Sequence, residues 1–223
     1  MAETNKRAAV LGASEEGGTG WAIAQALHKG GFSLTLGARR LVELERLAAP
    51  LGARAHACDA TIEDEVSRFC GVAAKGGGLD CAVLVAGAGV RGTIDSISAE
   101  DYQHCMRLNL DAAFYFVRHA ARHMNQGGAI VLMSSIAATN PWPGYFAYGA
   151  AKSALQTLVR YAAIEFAPRG IHVNAVCPGP ISTPAAGYLV DHPRAGKIVA
   201  NEVPLGRVAS PGDVAEAVAW LGT

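Results

Sequence analysis

The chain has 223 residues, 51% of them hydrophobic and only 17% charged, a balance that excludes intrinsic disorder and suffices for one domain with a single core. Its 19 basic residues offset 19 acidic ones, so neither nucleic acid nor an anionic membrane surface is the expected partner, since both call for a basic excess. Apolar runs fall short of the ~18 residues of a membrane span, the polar start Met1–Arg7 does not read as a secretory leader, and five cysteines without a Cys-x-x-Cys pair read as free thiols in a reducing cytoplasm, with no metal site.

The first predicted strand, Ala8–Leu11, leads into Gly12-Ala13-Ser14-Glu15-Glu16-Gly17-Gly18-Thr19-Gly20 and then a helix over Trp21–Lys29. Glycines in such a turn permit positive φ and let backbone approach a pyrophosphate, while the helix N-terminus supplies N–H donors. Alone, the turn is weak evidence and reads also as a flexible loop. Between the first strand and first helix of an alternating pattern it points to a dinucleotide. The second strand, Ser33–Leu36, ends in Gly37-Ala38-Arg39-Arg40. An acidic residue there would bond the adenosine ribose of NAD; none is present, and Arg39 suits a 2′-phosphate, so NADP is expected ahead of NAD. Glu15 and Glu16 oppose this if either faces the phosphate, and a solvated basic helix start is the plain alternative.

A helix over Leu41–Ala49, a strand over Ala53–Ala57 and a helix over Ile62–Ala74 follow. Asp59, just past the third strand, either caps the next helix or accepts a bond from the adenine amino group. The fourth strand, Cys81–Val85, precedes Ala86-Gly87-Ala88-Gly89 and a long predicted helix over Ala99–Met124. His104, His119 and His123 on that helix have no metal-site spacing and read as surface or interface residues. The fifth strand, Ala129–Met133, ends in Ser134-Ser135; the helix Tyr148–Phe166, the sixth strand His172–Val176 and a last helix Asp213–Leu221 complete the pattern. Short apolar strands alternating with helices predict right-handed crossovers and an α/β fold: a Rossmann-type, doubly wound parallel sheet in three α/β/α layers, a single domain over 1–223. Ligands bind such sheets beyond the carboxyl ends of the strands.

Tyr148 and Lys152 are four residues apart in a helical stretch and so share one face. A phenol ionises near pH ~10, and a neighbouring ammonium favours the phenolate, which makes the pair a candidate acid/base device. The spacing by itself is common, and the surrounding sequence decides its meaning.

From about Ala8 to Leu221 the residues resemble the short-chain dehydrogenase/reductase family in its classical branch. Gly18-Thr19-Gly20-Trp21-Ala22-Ile23-Ala24 is similar to the family's Gly-x-Gly-x-Ala-x-Ala, and Asp59 to its adenine-contacting aspartate. Asn109 matches the helix asparagine, Ser135 lies thirteen residues before Tyr148 as the family's serine does, and Tyr148 and Lys152 match the signature pair. Pro178-Gly179 with Thr183 resembles the family's Pro-Gly-x-x-x-Thr, and Pro204–Arg207 with Pro211–Ala215 is a further family-like run. Three departures stand out. Five residues instead of three separate Gly12 from Gly18; Asn-Asn-Ala-Gly is replaced by Ala86-Gly87-Ala88-Gly89; and the family's usual seventh strand is not apparent, the sequence given ending at Thr223.

The resemblance implies an NAD(P)-dependent oxidoreductase interconverting a ketone or aldehyde and an alcohol, with Asn109, Ser135, Tyr148 and Lys152 as the catalytic set. It implies a cofactor held by Gly12, Ser14, Gly18, Thr19, Gly20, Arg39, Asp59, Ala86, Gly87, Tyr148, Lys152, Pro178, Gly179, Ile181 and Thr183. In this scheme Lys152 lowers the Tyr148 pKa and binds the nicotinamide ribose, and Asn109 holds a water leading to Lys152. The substrate pocket is expected between Thr139–Phe146, with three aromatics, and a lid over about 181–202. Tyr188, Leu189, Val190 and Ile198 would line it, with His192, Arg194 and Lys197 at a basic rim that would suit an acidic carrier, as in 3-oxoacyl carrier-protein reductases. A small-molecule carbonyl or alcohol substrate and a homodimer or homotetramer are the expected partners. The alternative is a non-catalytic dinucleotide-binding regulator on the same fold.

Overall fold

A computed structural model of the protein describes residues 6–184 and 203–223. Six parallel strands lie in the order β3-β2-β1-β4-β5-β6: β1 Arg7–Leu11, β2 Ser33–Ala38, β3 Arg54–Ala57, β4 Leu79–Leu84, β5 Met124–Met133 and β6 His172–Val176. Strand order reverses between β1 and β4, which leaves a crevice at their carboxyl ends. Among the described residues the α-helices are α1 Thr19–Lys29, α2 Leu41–Ala48, α3 Glu63–Ala73, α4 Ala99–Met106, α5 Ala112–His123, α6 Phe146–Phe166 and α7 Pro211–Leu221.

Side chains alternate across each strand, so the sheet separates two cores. Ala9 and Leu11 of β1, Ala82 and Leu84 of β4, and Ile130 and Leu132 of β5 face α3, α5 and α6. Ala8 and Val10, Cys81 and Val83, and Val131 and Met133 face α1, α2 and α7. Both faces are buried, which is why these strands read as continuous apolar runs. Phe69 and Phe116 are wholly buried in the first core, each contributing about 2–3 kcal/mol by area. Gly37 makes room for Phe69: a Cβ there would lie 2.7 Å from the Phe69 ring and 2.9 Å from Leu11 Cδ1.

The predicted order and type of elements hold, and β6 has the predicted bounds. The long helix expected over Ala99–Met124 does not run unbroken. A π-helical turn, Arg107–Asp111, separates α4 from α5, and Met124 already belongs to β5. Asn109 lies inside this turn, where widened backbone geometry frequently marks a functional site. His119, expected at the surface or an interface, is only 7% exposed; its Nε2 lies 3.0 Å from Glu63 Oε1, tying α5 to α3. The five cysteines are free, Cys58, Cys70, Cys81 and Cys105 buried and Cys177 exposed. Among the described residues no helix is long and apolar enough to cross a membrane, and no cluster has metal-ligating composition.

Candidate active site

The carboxyl ends of β1, β4, β5 and β6 meet at one cleft of about 150 Å3. Thr19, Val85, Gly87, Ser134, Ser135, Tyr148, Lys152, Pro178, Gly179 and Ile181 line it together with Met133. Of the predicted catalytic set, Ser135, Tyr148 and Lys152 therefore share one cleft, and Asn109 is packed directly behind it.

β5 delivers Ser135, whose Oγ accepts from Ala137 N at 3.2 Å and starts a short 3-10 turn. α6 begins against that turn. Gly149 allows this, because a Cβ there would lie 2.7 Å from Ala137 O. The first turn of α6 thus carries Tyr148 to Ser135, near enough for the serine hydroxyl to favour the phenolate. Lys152, one turn on, is 3% exposed, and its Nζ donates to Met133 O at 2.7 Å. Nζ lies 5.5 Å from the Tyr148 ring centroid. Burial pushes Lys152 down from an ordinary 10.5 to about 8, against the opposing influence of Cys105 and Cys177.

Burial also raises the Tyr148 pKa, and the Ser135 hydroxyl opposes it only in part. This differs from the expectation that Lys152 lowers it. The ammonium stands over the ring at 5.5 Å while its own proton is directed at Met133 O, so desolvation of the phenolate dominates.

Asn109 is 1% exposed. Its Nδ2 donates to Ala88 O at 2.8 Å and Cys105 O at 3.0 Å, and its Oδ1 is buried with no partner. A buried unmatched acceptor costs about 1–3 kcal/mol, an expense natural folds tolerate mainly at working sites.

At the other end of the crevice the lengthened glycine turn is tightly built. Gly12 has φ +107°, and a Cβ on it would lie 2.5 Å from Ala86 N. A Cβ on Gly20 would collide with Gly12 O. Gly18 caps α1, and no acidic residue occupies its first turn, so the helix end is electropositive. Arg40 Nη2 reaches across to Ser14 O at 3.0 Å and Ser14 Oγ at 3.3 Å. Arg39 is exposed beside it. Glu16, one of the two acids set against a 2′-phosphate, is engaged by Arg46 at 2.8 Å. Asp59 Oδ1 accepts from Thr61 N and Oγ1 at 2.9 and 2.7 Å, a turn bond ahead of α3. Past β6, Pro178 O accepts from Ile136 N at 3.0 Å, and Ile181 pairs with Ala209. Thr183 N bonds Ile181 O at 3.0 Å.

A family model described as enoyl-(acyl carrier protein) reductase matches residues 12–223. A solved short-chain type dehydrogenase/reductase from Mycobacterium ulcerans superposes with a TM-score of 0.94 at 29% identity, covering 100% of this chain and 85% of that one. The chain belongs to the short-chain dehydrogenase/reductase family. As a member of it, the protein is an NAD(P)-dependent oxidoreductase acting on carbonyl and alcohol groups. A crystal structure of BdcA in complex with NADPH is 34% identical with a TM-score of 0.88, over 98% of this chain and 87% of that one. The cyclic-di-GMP-binding biofilm dispersal mediator protein of Escherichia coli K12 is 38% identical over 181 residues, 79% of this chain and 73% of that protein.

The site suits the family's cofactor. A buried ammonium lines the cleft, an unmatched carbonyl oxygen lies behind it, and at Gly87 backbone reaches the rim where a side chain would clash. Two contributors escaped sequence reading. Arg40 turns toward the glycine turn, where its guanidinium donates to Ser14. Cys105, on α4, sits within electrostatic reach of both Tyr148 and Lys152. Of the three aromatics expected in the pocket wall, Phe146 instead stacks on Tyr102, with ring centroids 6.2 Å apart. Tyr145 contacts Tyr148 edge-on at 6.5 Å and accepts from Arg91 Nε at 2.9 Å. The predicted lid residues Tyr188, Leu189, Val190, His192, Arg194, Lys197 and Ile198 lie outside the described residues.

Proposed function

We propose that Tyr148 is the general acid for carbonyl reduction and the general base for alcohol oxidation, with Ser135 holding the reacting oxygen beside it. The observation that carries this reading is the Ser135–Tyr148–Lys152 group gathered in one cleft at the end of β5. When bound, the nicotinamide cofactor supplies or takes up the hydride. Ser135 Oγ donates to the substrate oxygen, and Tyr148 gives that oxygen its proton. Burial keeps the phenol protonated, the form that donates in reduction. Lys152 is buried with its pKa near 8, close enough to neutral to pass a proton on to Tyr148, and it holds the nicotinamide ribose. Asn109 keeps the Ala86–Val90 segment in place behind it.

NADP is the cofactor this reading favours over NAD, through the exposed Arg39 and through Arg40, which is bonded to Ser14. Gly12, Ser14, Gly18, Thr19 and Gly20 would take the pyrophosphate. Ala86, Gly87, Pro178, Gly179, Ile181 and Thr183 would take the nicotinamide side. Asp59 would reach the adenine with its second carboxylate oxygen. One domain over 1–223 with a lid at about 181–202 would close over a moderately apolar carbonyl compound. Exposed Phe114 on α5 and Tyr161 and Ile164 on α6 suit a homodimer or homotetramer interface. A cytoplasmic location fits the free thiols.

The test is NADPH oxidation, followed by absorbance over a panel of aliphatic and cyclic ketones, with the parent and Tyr148→Phe. Loss of turnover with retained NADPH binding supports the assignment; unchanged turnover refutes it. The 38% identical Escherichia coli relative favours a second reading, binding of a cyclic dinucleotide as a regulatory ligand. Calorimetry with cyclic-di-GMP, with and without NADPH, decides that one.

A further inference from the structure

We propose that Asn109 Oδ1 is a second, direct acceptor for the Lys152 ammonium, and that Gly87 is the positioning residue that lets the two atoms meet. The inference rests on the reading of Lys152 as a working group of the site.

Asn109's amide orientation follows from its surroundings. Nδ2 points at two carbonyl oxygens, Ala88 O and Cys105 O, where an oxygen would be repelled. A further Nδ2 contact, 3.7 Å to Cys105 Sγ, holds the same orientation. Oδ1 is therefore fixed on the opposite side, buried and unmatched. That side is Gly87. A Cβ on Gly87 would lie 2.8 Å from Asn109 Oδ1 and 3.0 Å from Lys152 Nζ, so the oxygen and the ammonium both border the space a side chain at this position would fill. Nζ now donates to Met133 O, but an ammonium carries three protons, and rotation of its flexible stem brings another toward Oδ1. At this position the family pattern has an asparagine; here the side chain is missing altogether, and its first atom would crowd both members of the pair. The glycine thus converts an unmatched oxygen into a landing point for Lys152 when it leaves Met133 O.

The other groups facing Lys152 are Cys105 from α4, Cys177 beyond β6 and Tyr148 on its own helix. None of them carries a formal charge in its neutral form, so a carbonyl oxygen that stabilises the ammonium changes its titration directly.

The experiment is a titration of 13Cε-labelled lysine followed by NMR, on the cofactor-free full chain, with the Lys152 signal assigned by Lys152→Met. In Gly87→Ala the methyl group blocks Oδ1 from Nζ, and the Lys152 midpoint falls by about half a pH unit or more. In Asn109→Asp a carboxylate faces the ammonium and the midpoint rises by a similar amount or more. If Gly87→Ala does not fold, the Asn109→Asp arm stands alone, and the parent-against-Asp shift is read. A Lys152 midpoint unmoved in the folded variants overturns the proposal. The alkaline limb of kcat against pH, read in parallel, separates the two levels. Midpoints that move while turnover keeps its profile leave the second acceptor standing and defeat the catalytic role of Lys152.

Discussion

The two ends of the crevice are built on opposite principles. Around the glycine turn, polar contacts are exposed and charged: Arg40 on Ser14, Arg46 on Glu16. Their net worth is small because water competes for every partner. Around Tyr148 the polar groups are withdrawn from water, Lys152 to 3% and Asn109 to 1% exposure. There each bond is strong, each unmatched atom is costly, and pKa values move. Recognition of a charged cofactor tolerates a wet surface, whereas timed proton transfer needs groups whose ionisation the protein controls. Substitutions at the two ends should therefore differ in size and in kind.

The largest effect is expected at the buried end. Tyr148→Phe removes the proton donor and should lower kcat by about 10^3-fold with NADPH affinity within about twofold, measured by absorbance kinetics and fluorescence titration. A comparable loss of NADPH affinity would show that the two ends are not separable.

Lys152 also leaves a mark on stability. Its pKa is about 8 in the fold against an ordinary 10.5, so between those values the unfolded chain binds more protons and stability rises with pH. The full span is worth roughly 3 kcal/mol. Cys58, Cys70 and Cys81 are raised by burial from 9.0 to about 12; the folded chain then binds more protons above 9, and stability falls. Urea midpoints should climb from about pH 8 and turn over above about 9. Lys152→Met should flatten the climb and leave the decline.

Gly12→Ala tests the backbone that joins the two ends. At φ +107°, and with Ala86 N in the way, a methyl group should cost at least about 2 kcal/mol in urea unfolding. A neutral result would mean that the β1 and β4 termini move apart freely. The smallest effect belongs to the exposed end. Arg40→Ala should weaken NADP about tenfold by calorimetry, with NAD nearly unchanged and kcat retained. Equal NADP and NAD affinity in the parent would defeat the 2′-phosphate assignment.

Periodicity and punctuation in the chain determined the fold. Apolar strands buried on both faces, and glycines at the transitions, left the doubly wound sheet as the reading, and the spacing from Ser135 to Tyr148 and Lys152 marked the end proposed as reactive. The π turn was not legible, because nothing in Arg107–Asp111 departs from helical composition; the widened turn shows itself only in tertiary structure. Nor was the sign of the Tyr148 shift. A sequence states that an ammonium lies four residues from a phenol, but desolvation depends on what covers them, and burial outweighs the pairing. Arg40's turn toward Ser14 and the meeting of Gly87 with Asn109 and Lys152 join residues 20 to 65 positions apart in the chain. Local pattern dictates which residues are present and which face they share; contact across the sheet, and the water it removes, decides what those residues do.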